Sequence, residues 1–109
     1  MQDKYFVYML RCMDGSIYTG ITKDIKRRMN EHFTKDKKAA KYTKKVGAKK
    51  LEIYFETDSR KKAAKLEYHI KRLNKKQKEQ IILDKNLDIL NEKIDIKEKE
   101  KKLKRIDFF

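Results

Sequence analysis

The chain has 109 residues, no proline and one cysteine, which is the size of a single small domain with room for an appendage and excludes an internal disulfide. Charged residues make up 44% of it against 39% hydrophobic, and the formal net charge is +14. No run approaches the roughly 20 apolar residues of a membrane span and no secretory signal opens the chain, so the expectation is a small-cored, soluble protein of the reducing cytoplasm with no membrane partner.

The charge is unevenly placed. Residues 1–83 carry 23 Lys and Arg against 10 Asp and Glu, whereas residues 84–109 carry 8 against 7. A lysine-rich genome would not by itself concentrate the excess in one part. A basic domain followed by a balanced tail is what a polyanion-binding module shows, and nucleic acid is the expected partner.

Tyr5 to Ile21 reads as a β-hairpin. Phe6-Val7-Tyr8-Met9-Leu10 and Ile17-Tyr18-Thr19-Gly20-Ile21 flank Asp14-Gly15, a turn signal because glycine takes the positive φ such turns need. Phe6, Tyr8 and Leu10 face one way, Tyr5, Val7 and Met9 the other. Both sets are apolar, so this strand is expected to be central and covered on both sides. Gly20 marks a close backbone approach. Cys12 ends the first strand as a small buried residue rather than a nucleophile.

Asp24 or Thr22 can cap a helix. Ile25, Met29, His32 and Phe33 then recur on one helical face ending near Phe33, and Arg28 falls on that same face. An inward arginine needs an anionic partner, unless its stem merely snorkels over the core edge. Lys35 to Lys50 holds eight lysines and one acid and reads as mostly loop, with at most a helical turn at 38–42. Lys37, Lys38, Lys41, Lys44 and Lys45 suit phosphate contacts, and Tyr42 suits base stacking.

Leu51 to Glu56 is a period-2 strand with Leu51, Ile53 and Phe55 on its buried face. Thr57-Asp58-Ser59 caps a helix running to about Asn74, with Ala63, Leu66, Ile70 and Leu73 on its apolar face. Glu67 shares that face, as either half of an ion pair or a metal ligand. Residues 74–83 read as a further short helix docking through Ile81, Ile82 and Leu83. Beyond Asp84, Leu87, Leu90 and Ile94 continue a narrow apolar stripe into a charged run. The expectation is a C-terminal helical extension over 84–109, able to dock back or to pair with a second copy.

Hairpin, helix with inward Arg28, basic loop, strand, helix with inward Glu67, helix: this order, with Phe6-Val7-Tyr8 and Tyr18-Thr19-Gly20 as degenerate paired triplets, resembles the GIY-YIG endonuclease domain. The likeness covers about Lys4 to Leu83 and is strongest to the small single-domain bacterial proteins with a YTGIT-type second motif. It implies an α+β fold, a small three-stranded antiparallel sheet flanked by helices, here as residues 1–83 with 84–109 outside it. It also implies roles. Tyr8 and Tyr18 match the two triplet tyrosines and Gly20 the second glycine. Arg28 matches the catalytic arginine, His32 a position held by His or Tyr, and Glu67 the single metal-binding glutamate. Phe6 stands where the family has glycine, Thr19 where it has an aliphatic residue, and Ile21 where many members have lysine.

What the resemblance implies is hydrolysis of DNA through one Mg²⁺ or Mn²⁺ ion held by Glu67, on branched or damaged DNA, with Arg28 neutralising the phosphate. Tyr8 would act as general base, aided by Tyr18 or His32, and the surrounding positive charge is expected to lower its pKa. The rival is a non-catalytic nucleic-acid-binding module on the same fold. The two part on whether Tyr8, Tyr18, Arg28 and Glu67 converge on one basic surface or Glu67 pairs with a lysine away from the tyrosines.

Overall fold

The computed structural model describes residues 4–34, 38–90 and 104–106. The hairpin forms as β1 (Tyr5–Cys12) and β2 (Ile17–Thr22), turning through Gly15 at φ 87°. It is followed by α1 (Ile25–Phe33), α2 (Lys41–Val46), β3 (Ala48–Thr57), α3 (Arg60–Lys71) and α4 (Lys75–Asp84). A 3₁₀ turn at Asp88–Leu90 and a short strand β4 (Lys104–Ile106) complete the described chain.

The three expected strands pair antiparallel with β1 in the middle, and β4 adds to the outer edge of β3, giving the order β2-β1-β3-β4. The central position of β1 follows from its two apolar faces. Val7 and Met9 enter one core with Ile53, Phe55, Ala63, Leu66, Ile70 and Ile81, under α3 and α4. Tyr8 and Leu10 enter a second with Ile25, Met29, Leu51 and Tyr54, under α1. The sheet therefore has helices on both sides; the second, smaller layer holds Tyr8 and α1, which carries Arg28 and His32, while Glu67 is carried by α3 on the other side.

Caps explain where the helices begin. Asp24, Ser59 and Asn74 each accept a backbone N–H of the first turn. At α4 the side chain of Gln77 returns the bond to Asn74, closing a capping box. Arg11 bonds Glu52 through Nε and Glu79 through both terminal nitrogens, tying β3 and α4 to β1.

Four expectations are corrected. Leu51 does not share a face with Ile53 and Phe55. Met9 pairs with Ile53 but Leu10 with Leu51, so Glu52 is an extra residue in β3. That bulge reverses the alternation and sends Leu51 into the second core. The basic stretch is not mostly loop: residues 41–46 form α2 and β3 begins at Ala48. Leu83 does not dock but is 75% exposed, while Ile81 is buried and Ile82 half-buried. The extension is no continuous helix where described. Leu87 and Leu90 are buried in the first core, and residues 104–106 are strand; the rest of the expected helix lies outside the described residues.

Candidate active site

Tyr8 and Gly20 are direct partners across β1 and β2. The pairing explains the glycine. A Cβ at Gly20 would lie 2.5 Å from the Tyr8 hydroxyl, 2.7 Å from its Cζ and 3.1 Å from Cε2 of Tyr18. The missing side chain is the space into which the Tyr8 phenol folds. Thr43 and His32 close the other side: Tyr8 Oη is 2.9 Å from His32 Nε2, and His32 Nδ1 is 2.8 Å from Thr43 Oγ1. Tyr8 is 1% exposed, and His32 and Thr43 are fully buried.

Arg28 reaches the same phenol. Its Nε–H points to Tyr8 Oη at 3.4 Å, while Nη1 donates to Glu31 Oε1 at 2.7 Å and to the Lys38 carbonyl at 2.6 Å. The inward arginine thus has its anionic partner, Glu31, one helical turn away. Nη2 has no hydrogen bond among the described residues.

Tyr18 packs against the rings of Tyr8 and His32, with centroids 6.2 and 5.7 Å away. Its outer face is stacked by Tyr42 at 6.4 Å, with the planes 12° apart. Tyr42 is tied back to the hairpin turn through Ser16 and Asp14. It remains 41% exposed, but its ring is already stacked on Tyr18 rather than open on both faces to a base.

Glu67 comes from α3. Its carboxylate pairs with Lys71 at 3.4 Å, and Lys71 Nζ lies 5.9 Å over the Tyr18 ring. The Glu67 charge is felt at Tyr8, where it opposes ionisation. The glutamate therefore pairs with a lysine, but beside the tyrosines and not away from them. Tyr8, Tyr18, Arg28, His32 and Glu67 are brought together from β1, β2, α1 and α3. Lys38, Lys41, Lys44 and Lys45 are exposed around α2. Lys37 lies outside the described residues.

Among the described residues no group of three or more His, Cys, Asp or Glu side chains is placed to hold a metal. A hard divalent ion does not need one. It commonly binds through one or two carboxylates, with water and substrate phosphate filling the remaining positions. Glu67, 22% exposed at its side chain and paired among the described residues with a partly exposed lysine, fits that donor set.

The expected acidic Tyr8 is corrected. Burial pushes its pKa up to about 12, outweighing the lowering effect of Arg28. Burial, then the Arg28 charge, pushes His32 down to about 4, so the imidazole is neutral at physiological pH. A pH prediction follows. The unfolded chain takes up the His32 proton near 6.5 and the folded chain near 4. Below about 6.5 the unfolded state thus binds more protons. His32's contribution is complete above that pH and is lost as pH falls toward 4, by roughly 3 kcal/mol in all. Urea titrations across this window should show the loss, and His32→Gln should flatten that part of the profile.

A family model described as GIY-YIG catalytic domain matches residues 4–80. The chain belongs to the GIY-YIG family, whose domain is a nuclease domain and whose members generally use divalent metal ions. Within the family it is similar to the UPF0213 proteins, a small single-domain group. It is 53% identical over 78 residues to the UPF0213 protein of Fusobacterium nucleatum, covering 72% of this chain and 76% of that one. It is 37% identical over 90 residues to the UPF0213 protein of Limosilactobacillus reuteri, covering 81% and 92%. The solution NMR structure of a UPF0213 protein from Bacillus halodurans superposes with a TM-score of 0.50 at 37% identity, over 83% of this chain and 94% of that one.

Two features of the site were not read from the sequence. Thr43 carries no periodicity signal, since it lies among lysines in a six-residue helix. Lys71 was one of many lysines, and only its position four residues after Glu67 marked it as a partner.

Proposed function

We propose that the chain is a divalent-metal-dependent endonuclease that hydrolyses phosphodiester bonds of DNA, with branched or damaged DNA as its substrate class. The observation that carries this reading is the convergence of Tyr8, Tyr18, Arg28, His32 and Glu67 at one end of a basic domain. No structural need requires an inward arginine, an inward carboxylate and a glycine-accommodated tyrosine to meet at one place.

Glu67 would hold Mg²⁺ or Mn²⁺ together with waters and a substrate phosphate, and the bound ion supplies charge neutralisation on that phosphate. Tyr8 accepts the proton of the attacking water. Arg28 offers Nη2 to a non-bridging phosphate oxygen, its other nitrogens being engaged. Tyr18 walls the site between Tyr8 and Tyr42. Lys38, Lys41, Lys44 and Lys45 draw the phosphate backbone toward α2. Because Tyr8 is enclosed, binding of DNA must shift side chains around it before a water reaches its hydroxyl. Leu87 and Leu90 belong to the core, so the working unit extends beyond residue 83 to at least Leu90.

One observation favours the rival reading of a non-catalytic binding module: Arg28 and Glu67 are already paired, with Glu31 and Lys71. A plasmid assay separates the two. The nuclease converts supercoiled plasmid to nicked circles with Mg²⁺ or Mn²⁺ and stops on adding EDTA. The module retards the same plasmid in a salt-sensitive way and cuts it with neither ion.

A further inference from the structure

We propose that Thr43 is a positioning residue that fixes which nitrogen of His32 faces Tyr8 and thereby makes His32 the acceptor of the Tyr8 proton. The argument is a count of hydrogens. A threonine hydroxyl has one. That of Thr43 points at the Ala40 carbonyl oxygen, 2.9 Å away, which can only accept. Both contacts are hydrogen bonds at once only when Thr43 Oγ1 accepts from His32, at 2.8 Å, which puts the imidazole hydrogen on Nδ1.

A neutral imidazole has a single N–H. With that hydrogen on Nδ1, Nε2 presents its lone pair to Tyr8 Oη at 2.9 Å, and the phenol donates. Every donor then runs one way: Tyr8 O–H to His32, His32 N–H to Thr43, Thr43 O–H to the Ala40 carbonyl. Arg28 Nε–H donates to the phenol oxygen from the other side. Turning His32 to its other tautomer would leave two lone pairs facing each other at Nδ1 and Oγ1, and would have the Tyr8 hydroxyl accept from both His32 and Arg28, with no acceptor for its own hydrogen among the described residues.

The groups around the ring make the neutral form the resident one. Tyr8 comes from β1, Tyr18 from β2, Arg28 and Glu31 from α1, and Thr43 from α2. His32 is fully buried among them. Tyr42, next to Thr43, stacks on Tyr18, so α2 is fixed to both halves of the tyrosine pair by adjacent residues.

The consequence rests on the reading of Tyr8 as general base. As the attacking water gives its proton to Tyr8 Oη, the phenol's own proton passes to His32 Nε2, and Nδ1–H stays on Thr43. The water's electron pair forms the new P–O bond. The bond to the leaving oxygen breaks with its pair on that oxygen, which is protonated from solvent. Tyr8 need not exist as a free phenolate in this relay; the charge it would carry is exchanged for a proton on His32, which burial and the Arg28 charge oppose in the free protein.

Thr43→Val removes the hydroxyl at nearly constant volume, and Thr43→Ser keeps it. The chain has only two histidines, so ¹⁵N-detected ring spectra, with His69→Gln for assignment, report the His32 tautomer directly. The expected result is protonated Nδ1 and bare Nε2 in wild type and Thr43→Ser. Thr43→Val should gain the Nε2–H form, and its plasmid nicking should fall at least about tenfold, as wrong-tautomer and misplacement variants do. Wild-type His32 protonated on Nε2, or an unchanged tautomer in Thr43→Val, overturns the proposal. Should Thr43→Val fail to give a folded amide spectrum, the wild-type tautomer still decides it. Wild-type protein that cuts no DNA with any divalent ion removes the nuclease reading instead, leaving the tautomer result to stand or fall by itself.

Discussion

Glu67→Gln is expected to abolish DNA cleavage while leaving the fold as it is. The two parts have different causes. The Glu67–Lys71 pair spans one turn of α3, with side chains 22% and 51% exposed. Pairs of this kind contribute a few tenths of a kcal/mol in water, so a thermal melt should hardly move. Loss of the carboxylate should instead remove the anchor for a divalent ion, whose stabilisation of phosphate charge amounts to several kcal/mol, or a rate loss of at least roughly 10³-fold. Lys71→Met is the necessary companion, because it breaks the same ion pair and keeps the carboxylate. Cleavage lost in Glu67→Gln and retained in Lys71→Met assigns the role to the carboxylate. Equal loss in both would show that the ion pair, and the lysine it holds over Tyr18, is what the site needs. Isothermal titration with Mg²⁺ or Mn²⁺ in the presence of uncleavable DNA supplies a second reading: heat of binding present in wild type and Lys71→Met and absent in Glu67→Gln.

Much of this site was legible before any coordinates, for a definite reason. Short amphipathic helices report their inward faces through spacing alone, and Arg28 and Glu67 stood out as polar residues on apolar stripes. The central place of β1 was likewise readable, because both of its faces are apolar and both are now seen to be covered. What could not be read depends on register and enclosure. The extra residue at Glu52 turns Leu51 to the opposite side of β3, and period-2 counting has no means of seeing an inserted residue. The lysines of α2 hid a helix whose buried residue is a threonine. The sign of the Tyr8 pKa shift is not legible in the sequence, because charge is visible there and burial is not. A local excess of lysine argues for an acidic phenol, but those lysines are solvated, while the phenol is enclosed at 1% exposure and desolvation wins.

Gly20→Ala is the substitution expected to do most harm for its size. It adds one methyl group to an edge strand, where alanine is ordinarily tolerated. Here the new Cβ would lie 2.5 Å from Tyr8 Oη and 2.7 Å from Cζ, closer than such atoms come in real structures. Tyr8 cannot swing clear. Its ring is buried against Leu10, Ile25, Met29, Leu51 and Tyr54, and its hydroxyl is bonded to His32. Forced overpacking of this kind costs about 1–3 kcal/mol, which for a domain of this length lowers Tm by roughly 4–8 °C per kcal/mol. The displaced phenol should also lose its contact with His32 Nε2, so cleavage should fall in molecules that remain folded. A double-mutant cycle identifies the cause. If the Tyr8 ring is what the methyl group meets, Gly20→Ala should cost clearly less stability in a Tyr8→Leu background than in wild type. An equal cost in both backgrounds would place the harm in the β2 backbone and take from Gly20 its role as the space in which the tyrosine sits.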